Sequence, residues 1–404
     1  MSNYSIVIGG LWGDEGKGHM TDILCSKHQN TLNIRFNGGG QASHTVVTPD
    51  GKRYAFRHIG AGTFTGSNTY LSEDFIVNPV LFDTERRSLY EKFGMSVFEF
   101  VNPNAIVTTL WDMYINQVVE VMRGKDRHGS CGLGINETVE RSKDEKYRIT
   151  VSDLTDEKVL YSKLKRIEEE YVPFRLKQYD LTVEDMPKEY KELFNYEDNI
   201  NMFMFYAEEF LCAIDITYDS IIDKYDNVVF EGAQGLLLDQ CSQFIPHVTS
   251  SNTGISNVMK VLKNLNFNDT VNIYYMCRCY ATKHGAGYFP GETCINDYAS
   301  VVDETNVPNA FQGSLRFGML NLDLLADAIN KDLTNLTVNA NVNICITCMD
   351  QITGSVRYIG NEVVKESSRE EFIVEFKEYM KKRLSSFNSL YVTDGLTREN
   401  YYEV

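Results

Sequence analysis

Short apolar runs recur along the chain, each closed by glycines and polar residues, with helical periodicities between them. Ile6-Val7-Ile8 is the first; others fall at 31–36, 105–109, 227–230, 271–279 and 343–348. Runs of this length between turn signals predict buried strands. Met20, Ile23 and Leu24 lie on one side of a helical pattern, and 111–122, 322–329 and 369–382 predict further helices. Residues 50–75 read as hairpins and turns. Residues 156–220 read as a helical block. Within it, 157–172 is charge-rich with repeated apolar positions, Pro187 interrupts the next segment, and 201–218 carries a longer apolar face. The alternation predicts an α/β fold: a large, mostly parallel central sheet with a P-loop-like N-terminal loop, a helical insertion at 156–220 and smaller peripheral hairpins.

The closures of these runs carry the candidate chemistry. After the first run comes Gly9-Gly10, then Gly13-Asp14-Glu15-Gly16-Lys17-Gly18 and a helix. Strand, glycine loop and helix N-terminus form an anion site, to which Lys17 adds a full charge. The Walker spacing is imperfect: Leu11 and Gly18 stand where that pattern has Gly and Ser or Thr. Two carboxylates inside the loop are unexplained by phosphate binding, because anions repel. A tight turn and a dinucleotide crevice are the competing readings. The second run ends in 37–45, another glycine-rich turn, where His44 is a candidate acid or a structural hydrogen-bonding group. The small-residue run 128–136 can wrap a phosphate or form a surface loop, and Arg141 beyond it could reach an anion. Glu231-Gly232-Ala233-Gln234-Gly235, the donors at 246–252 and the 282–287 turn follow later runs. Arg316 is the one cation of the loop at 309–318. Asp350 follows another run and can accept two donors from a purine edge or cap a helix. Glycine turns at several strand ends imply one composite site on one sheet.

Composition narrows the classes. With 404 residues the chain exceeds one ordinary core, and 43% hydrophobic content suffices for a large one. A formal charge of −17, from 56 acidic and 39 basic residues, argues against a nucleic-acid backbone binder but allows a local basic pocket. The nine cysteines lack a secreted framework, and no signal peptide or membrane-length apolar run is read, so free thiols in the cytoplasm are expected. Cys345/Cys348 and Cys277/Cys279 lie in apolar runs; buried thiols and a zinc site are both open readings, the missing turn residues favouring the former.

Taken in order, GLWGDEGKG (10–18), GGGQASHTVV (38–47), EGAQG (231–235), VTSSN (248–252) and ATKHGAG (281–287) resemble the adenylosuccinate synthetase family. The resemblance implies a single domain over 1–404 and a carbon–nitrogen ligase. Its members phosphorylate O6 of a 6-oxopurine nucleotide, then let aspartate displace the phosphate. By the same resemblance Asp14 removes the N1 proton, His44 hydrogen-bonds near O6, and Lys17 with Mg2+ stabilises the γ-phosphoryl, Asp14 and the Ser43 carbonyl being metal ligands. Nucleotide and phosphate contacts would come from Gly13, Glu15, Gly16, Lys17, Gly18, Ser130, Cys131, Gly132, Gln234, Thr249 and Asp350. Arg141 would reach across a homodimer, and Arg316 and Ser314 would meet L-aspartate.

The departures point to one branch. His19, Gln41 and Ser43 stand where ordinary members have Lys, Asn and Gly. Ser130-Cys131 replaces a threonine-rich loop, and Gly313-Ser314-Leu315-Arg316 an arginine-rich one, with Ser314 at an arginine position. Thr347-Cys348-Met349-Asp350 lacks the lysine of a guanine-reading Thr-Lys-x-Asp. These changes, with 134–138 and 311–318, resemble the branch of bacteriophages with 2-aminoadenine DNA. That branch joins aspartate to dGMP with ATP or dATP, giving N6-succino-2-amino-2'-deoxyadenylate, in the host cytoplasm if phage-encoded. A conventional enzyme using IMP and GTP is the alternative, and a non-catalytic purine-nucleotide-binding protein a third. Neither nucleic acid nor membrane is expected as partner.

Overall fold

A computed structural model describes residues 3–124, 127, 129–301 and 313–404. Ten strands form the central sheet. In spatial order they are Tyr401–Glu403, Phe387–Thr393, Ala340–Thr347, Val271–Arg278, Asn3–Gly9, Asn227–Glu231, Thr31–Arg35, Asn68–Leu71, Glu99–Val101 and Ile214–Ile216. All neighbours are parallel except the edge strand Tyr401–Glu403. The central strands are apolar on both faces because helices cover both: Ile6, Val7, Ile8, Ile344, Cys345 and Ile346 are fully buried. Ile6 lies in register between Phe230 and Ile273.

Helix Lys17–Ser26 carries the chain from Asn3–Gly9 to Thr31–Arg35, over the intervening Asn227–Glu231. The loops at the carboxyl ends of these central strands therefore share one crevice. Small hairpins stand outside the sheet: His44–Val47 with Arg53–Phe56, Ala281–Lys283 with Arg316–Gly318, and Val356–Gly360 with Val363–Ser367. One core lies against the helices of the C-terminal half. A second gathers Trp111, Phe203 and Phe210 with the helical block.

Four expectations need adjustment. Residues 105–109 make only the isolated bridges Val77–Val107 and Ile106–Thr150, and the nearby sheet strand is Glu99–Val101. Buried Glu99 sits inside that strand and hides its apolar signal. The helix expected over 201–218 spans Asn199–Leu211, and Ile214–Ile216 forms a sheet edge, with exposed Asp215 between two apolar residues. The block before it is a series: Glu157–Arg166, a π turn at Ile167–Tyr171, Val172–Lys177 and Lys188–Phe194. Within 50–75, Asn68–Leu71 joins the main sheet. All nine thiols are free; Cys277, Cys279 and Cys345 are buried, which pushes their titration upward. Among the described residues no helix is long and apolar enough to cross a membrane.

Candidate functional site

The first glycine loop sits at the middle of the sheet's carboxyl edge, and its neighbours fix the direction of its peptides. Thr282 Oγ1 donates to the Gly13 carbonyl at 3.4 Å, Arg278 Nε to that of Asp14, and Thr347 Oγ1 to that of Glu15 at 3.2 Å. In a trans peptide the following N–H points the opposite way. The amides of Asp14, Glu15 and Gly16 are thus turned away from these strands. Gly13, Asp14 and Gly16 have φ of 91°, 60° and 86°, the left-handed region that a non-glycine residue such as Asp14 enters only when held there. No side chain caps helix Lys17–Ser26, so its first amides remain for an anion.

The loop's charged side chains diverge. Glu15 turns inward and accepts the Leu11 amide at 2.7 Å, and burial raises it to about 7 against the pull of Lys17. It braces the loop as well as bordering the cleft. Lys17 is buried, which lowers its titration against the opposing charges of Glu15 and Asp14. Asp14 stays 29% exposed, with His284 Nε2 at 3.5 Å from its Oδ2.

Against this loop stands a buried histidine–carboxylate pair. His44 Nδ1 makes a short hydrogen bond to Glu231 Oε1, and Glu231 Oε2 accepts the Ala61 amide at 3.0 Å. Arg35 is Glu231's neighbour in sheet register. Burial alone would raise Glu231, but Arg35 and His44 outweigh it and hold the carboxyl at about 2. Burial, helped by Arg35, lowers His44 to about 4 against the opposite pull of Glu231. With Nδ1–H donated to a carboxylate, the tautomer is fixed and Nε2 is the free nitrogen.

Together these groups border a cleft of about 1120 Å³. Gly13, Asp14, Glu15, Gly16, Lys17, Gly18, Ser43, His44, Ser130, Cys131, Gln234 and Thr249 all line it. Gly132 lies just behind, its carbonyl accepting Gln117 Nε2 at 2.9 Å. Four other expected site residues lie outside this lining. Arg141 is fully buried within the chain, bonded to Asp112, to the Val107 carbonyl and to the Tyr147 carbonyl, and does not line the cleft. Asp350 is exposed in a short turn after Ala340–Thr347, outside the lining. Arg316 pairs with Glu292 at 2.6 Å and donates to the Gly285 and Gly287 carbonyls, while Ser314 is exposed. His128 and 309–312 lie outside the described residues.

The lining also holds groups that the motifs did not flag: Arg57, Asn116, Glu120, Arg123, Tyr179 and Arg278. Tyr179 comes from the helical block, so that block contributes to the site. Its hydroxyl donates to Glu137 at 2.7 Å, and the Arg123 guanidinium lies over its ring. Arg123 ends helix Leu110–Arg123, one position beyond the helix predicted at 111–122, and pairs with Glu120 at 3.0 Å.

A family model described as adenylosuccinate synthetase matches residues 6–392. The adenylosuccinate synthetases of Lactobacillus acidophilus and Thermoplasma volcanium are each 30% identical, over 292 and 295 residues, covering 71% and 72% of this chain and 64% of each relative. The chain thus spans about 64% of the length of these curated relatives. Among solved structures, the fully ligated Plasmodium falciparum adenylosuccinate synthetase superposes with a TM-score of 0.73 at 17% identity, over 100% of both chains. The succinoaminodeoxyadenylate synthetase of cyanophage S-2L, bound to dGMP and dATP, gives 0.58 at 12%, over 100% of this chain and 95% of that one. At such identities the two likenesses concern the fold.

Proposed function

Because the chain belongs to the adenylosuccinate synthetase family, we propose that it joins the amino group of L-aspartate to C6 of a 6-oxopurine nucleoside monophosphate, with a nucleoside triphosphate as phosphoryl donor. One observation carries this reading. A carboxylate, Asp14, lines the same cleft as an uncapped helix N-terminus with Lys17 and as His44 of the His44–Glu231 pair. A loop that only grips phosphate gains nothing from that charge, whereas a base beside a phosphoryl site does.

In this course Asp14 takes the N1 proton as O6 attacks the γ-phosphorus and the diphosphate leaves. Lys17 and the helix amides hold the phosphoryl oxygens. An anionic phosphoryl opposite Glu231 places the His44 ring between two negative groups, which favours its cationic form. Nε2–H then donates toward O6. The aspartate amine adds to C6, the C6–O6 bond breaks, and phosphate departs with O6 as the amine sheds a proton. Asp14 and Ser43 border the cleft, and the Asp14 carboxylate with the Ser43 carbonyl would supply the hard oxygen donors that Mg2+ takes alongside phosphates. Magnesium bound there would neutralise the triphosphate.

The curated relatives are adenylosuccinate synthetases, which favours IMP as acceptor. A second reading, dGMP with ATP or dATP, is favoured by Cys348. It stands in place of a guanine-reading lysine, in a left-handed turn (φ 63°), with its carbonyl accepting Cys279 Sγ. The test crosses IMP, GMP and dGMP with GTP, ATP and dATP in the presence of aspartate and Mg2+, following phosphate release and the succinylated product. IMP-dependent turnover supports the first reading, and strict dependence on dGMP with an adenine nucleotide the second. Absence of aspartate-dependent product in every combination refutes both. Asp14→Asn is expected to lower turnover by at least roughly a hundredfold while the acceptor still binds; unchanged turnover would remove its role as base.

A further inference from the structure

The acceptor's 5'-phosphate needs a cation in the cleft besides Lys17, and Arg141 is locked away on Asp112. We propose that Arg57 is the residue that binds this phosphate, within the same chain. The inference rests on the reading above, that the substrate is a purine nucleoside monophosphate.

Elimination among the cleft's described cations leads there. Lys17 faces Asp14 and Glu15. Arg123 pairs with Glu120. Arg278 serves the Asp14 carbonyl and the Tyr280 hydroxyl, and Lys283 the His284 and Ala286 carbonyls. Arg57 has no carboxylate on its guanidinium among the described residues; Nη1 donates to the Gly40 carbonyl at 3.1 Å. That bond leaves the Nε–Nη2 edge, the one that grips a phosphate through two parallel hydrogen bonds.

Its placement is fixed from both sides. The Arg57 amide donates to buried Glu85 at 2.6 Å, and its carbonyl accepts from buried Arg35 at 2.6 Å. The side chain is tied to the turn holding Gly40 and lines the same cleft as Gly129, Ser130 and Cys131. Ser130 Oγ accepts from Asn116 Nδ2 at 2.9 Å, so its own hydrogen is left to donate. Arg57 and Ser130 thus offer a guanidinium edge and a hydroxyl donor to the same cleft, the chemistry that binds a phosphate.

The experiment measures binding of IMP against inosine, and of dGMP against deoxyguanosine, to the wild-type protein and to Arg57→Leu. Each nucleotide should bind the wild type at least tenfold more tightly than its nucleoside. In Arg57→Leu that gap should shrink by roughly tenfold or more, with nucleoside and triphosphate affinities unchanged. A merely structural role would weaken nucleoside and nucleotide together. That result, or an unchanged gap, overturns the assignment. Should Arg57→Leu fail to fold, Arg57→Gln, which keeps a donor for Gly40, is read the same way. A wild-type protein that binds neither nucleotide defeats the functional reading itself, and the inference with it.

Discussion

His44 and Glu231 show how one pair of side chains ties chemistry to stability. The folded chain holds His44 at about 4 and Glu231 at about 2, below their ordinary 6.5 and 4.5. On acidification the unfolded chain takes up protons that the folded chain refuses, so stability falls with pH. The His44 contribution is lost between about 6.5 and 4, and that of Glu231 between about 4.5 and 2. Thermal melts at stepped pH should follow both windows. In Glu231→Gln the lower one should flatten and turnover should drop, because His44 loses the acceptor that orients it. An unchanged slope below 4.5 would separate Glu231 from the pair. Asp14, Lys17 and His44 were legible because each stands in a glycine turn directly after an apolar run. Their partners were not: Glu231 is 187 positions from His44, and only the packing of the hairpin His44–Val47 and Arg53–Phe56 against the carboxyl edge of the main sheet brings them together.

At the level of elements, long central strands declared themselves and short edge strands did not. Asn3–Gly9, Val271–Arg278 and Ala340–Thr347 are buried on both faces over most of their length and contain apolar runs such as Ile6-Val7-Ile8. Glu99–Val101 and Ile214–Ile216 have three residues each, too few for a period to show. Arg141 illustrates the same limit for a helix. Its place in a polar stretch suggested reach, yet the fold of Ile135–Ser142 against Leu110–Arg123 sinks it onto Asp112. Arg141→Leu should therefore strand the buried Asp112 charge, at a cost of about 3–5 kcal/mol. The melting temperature should fall while the acceptor KM of the folded enzyme stays near wild type. A raised acceptor KM at unchanged melting temperature would restore Arg141 to a phosphate.

At the scale of the whole molecule, the site is assembled from segments spread from residue 12 to residue 286. A chain with net charge −17 gathers Lys17, Arg57, Arg123, Arg278 and Lys283 around one cleft. The negative remainder repels polyanions in general, while that local concentration of cations suits small phosphorylated molecules. The glycine turns pointed to the sheet edge that borders this cleft. The contribution of the helical block, through Tyr179, required the fold. The central claim is that O6 becomes the bridge to the transferred phosphoryl and leaves with it. The direct measurement uses IMP or dGMP, whichever turns over, labelled with 18O at O6. Mass analysis of the released phosphate should find one 18O atom per turnover. Unlabelled phosphate, with the labelled oxygen recovered in water, would contradict the account.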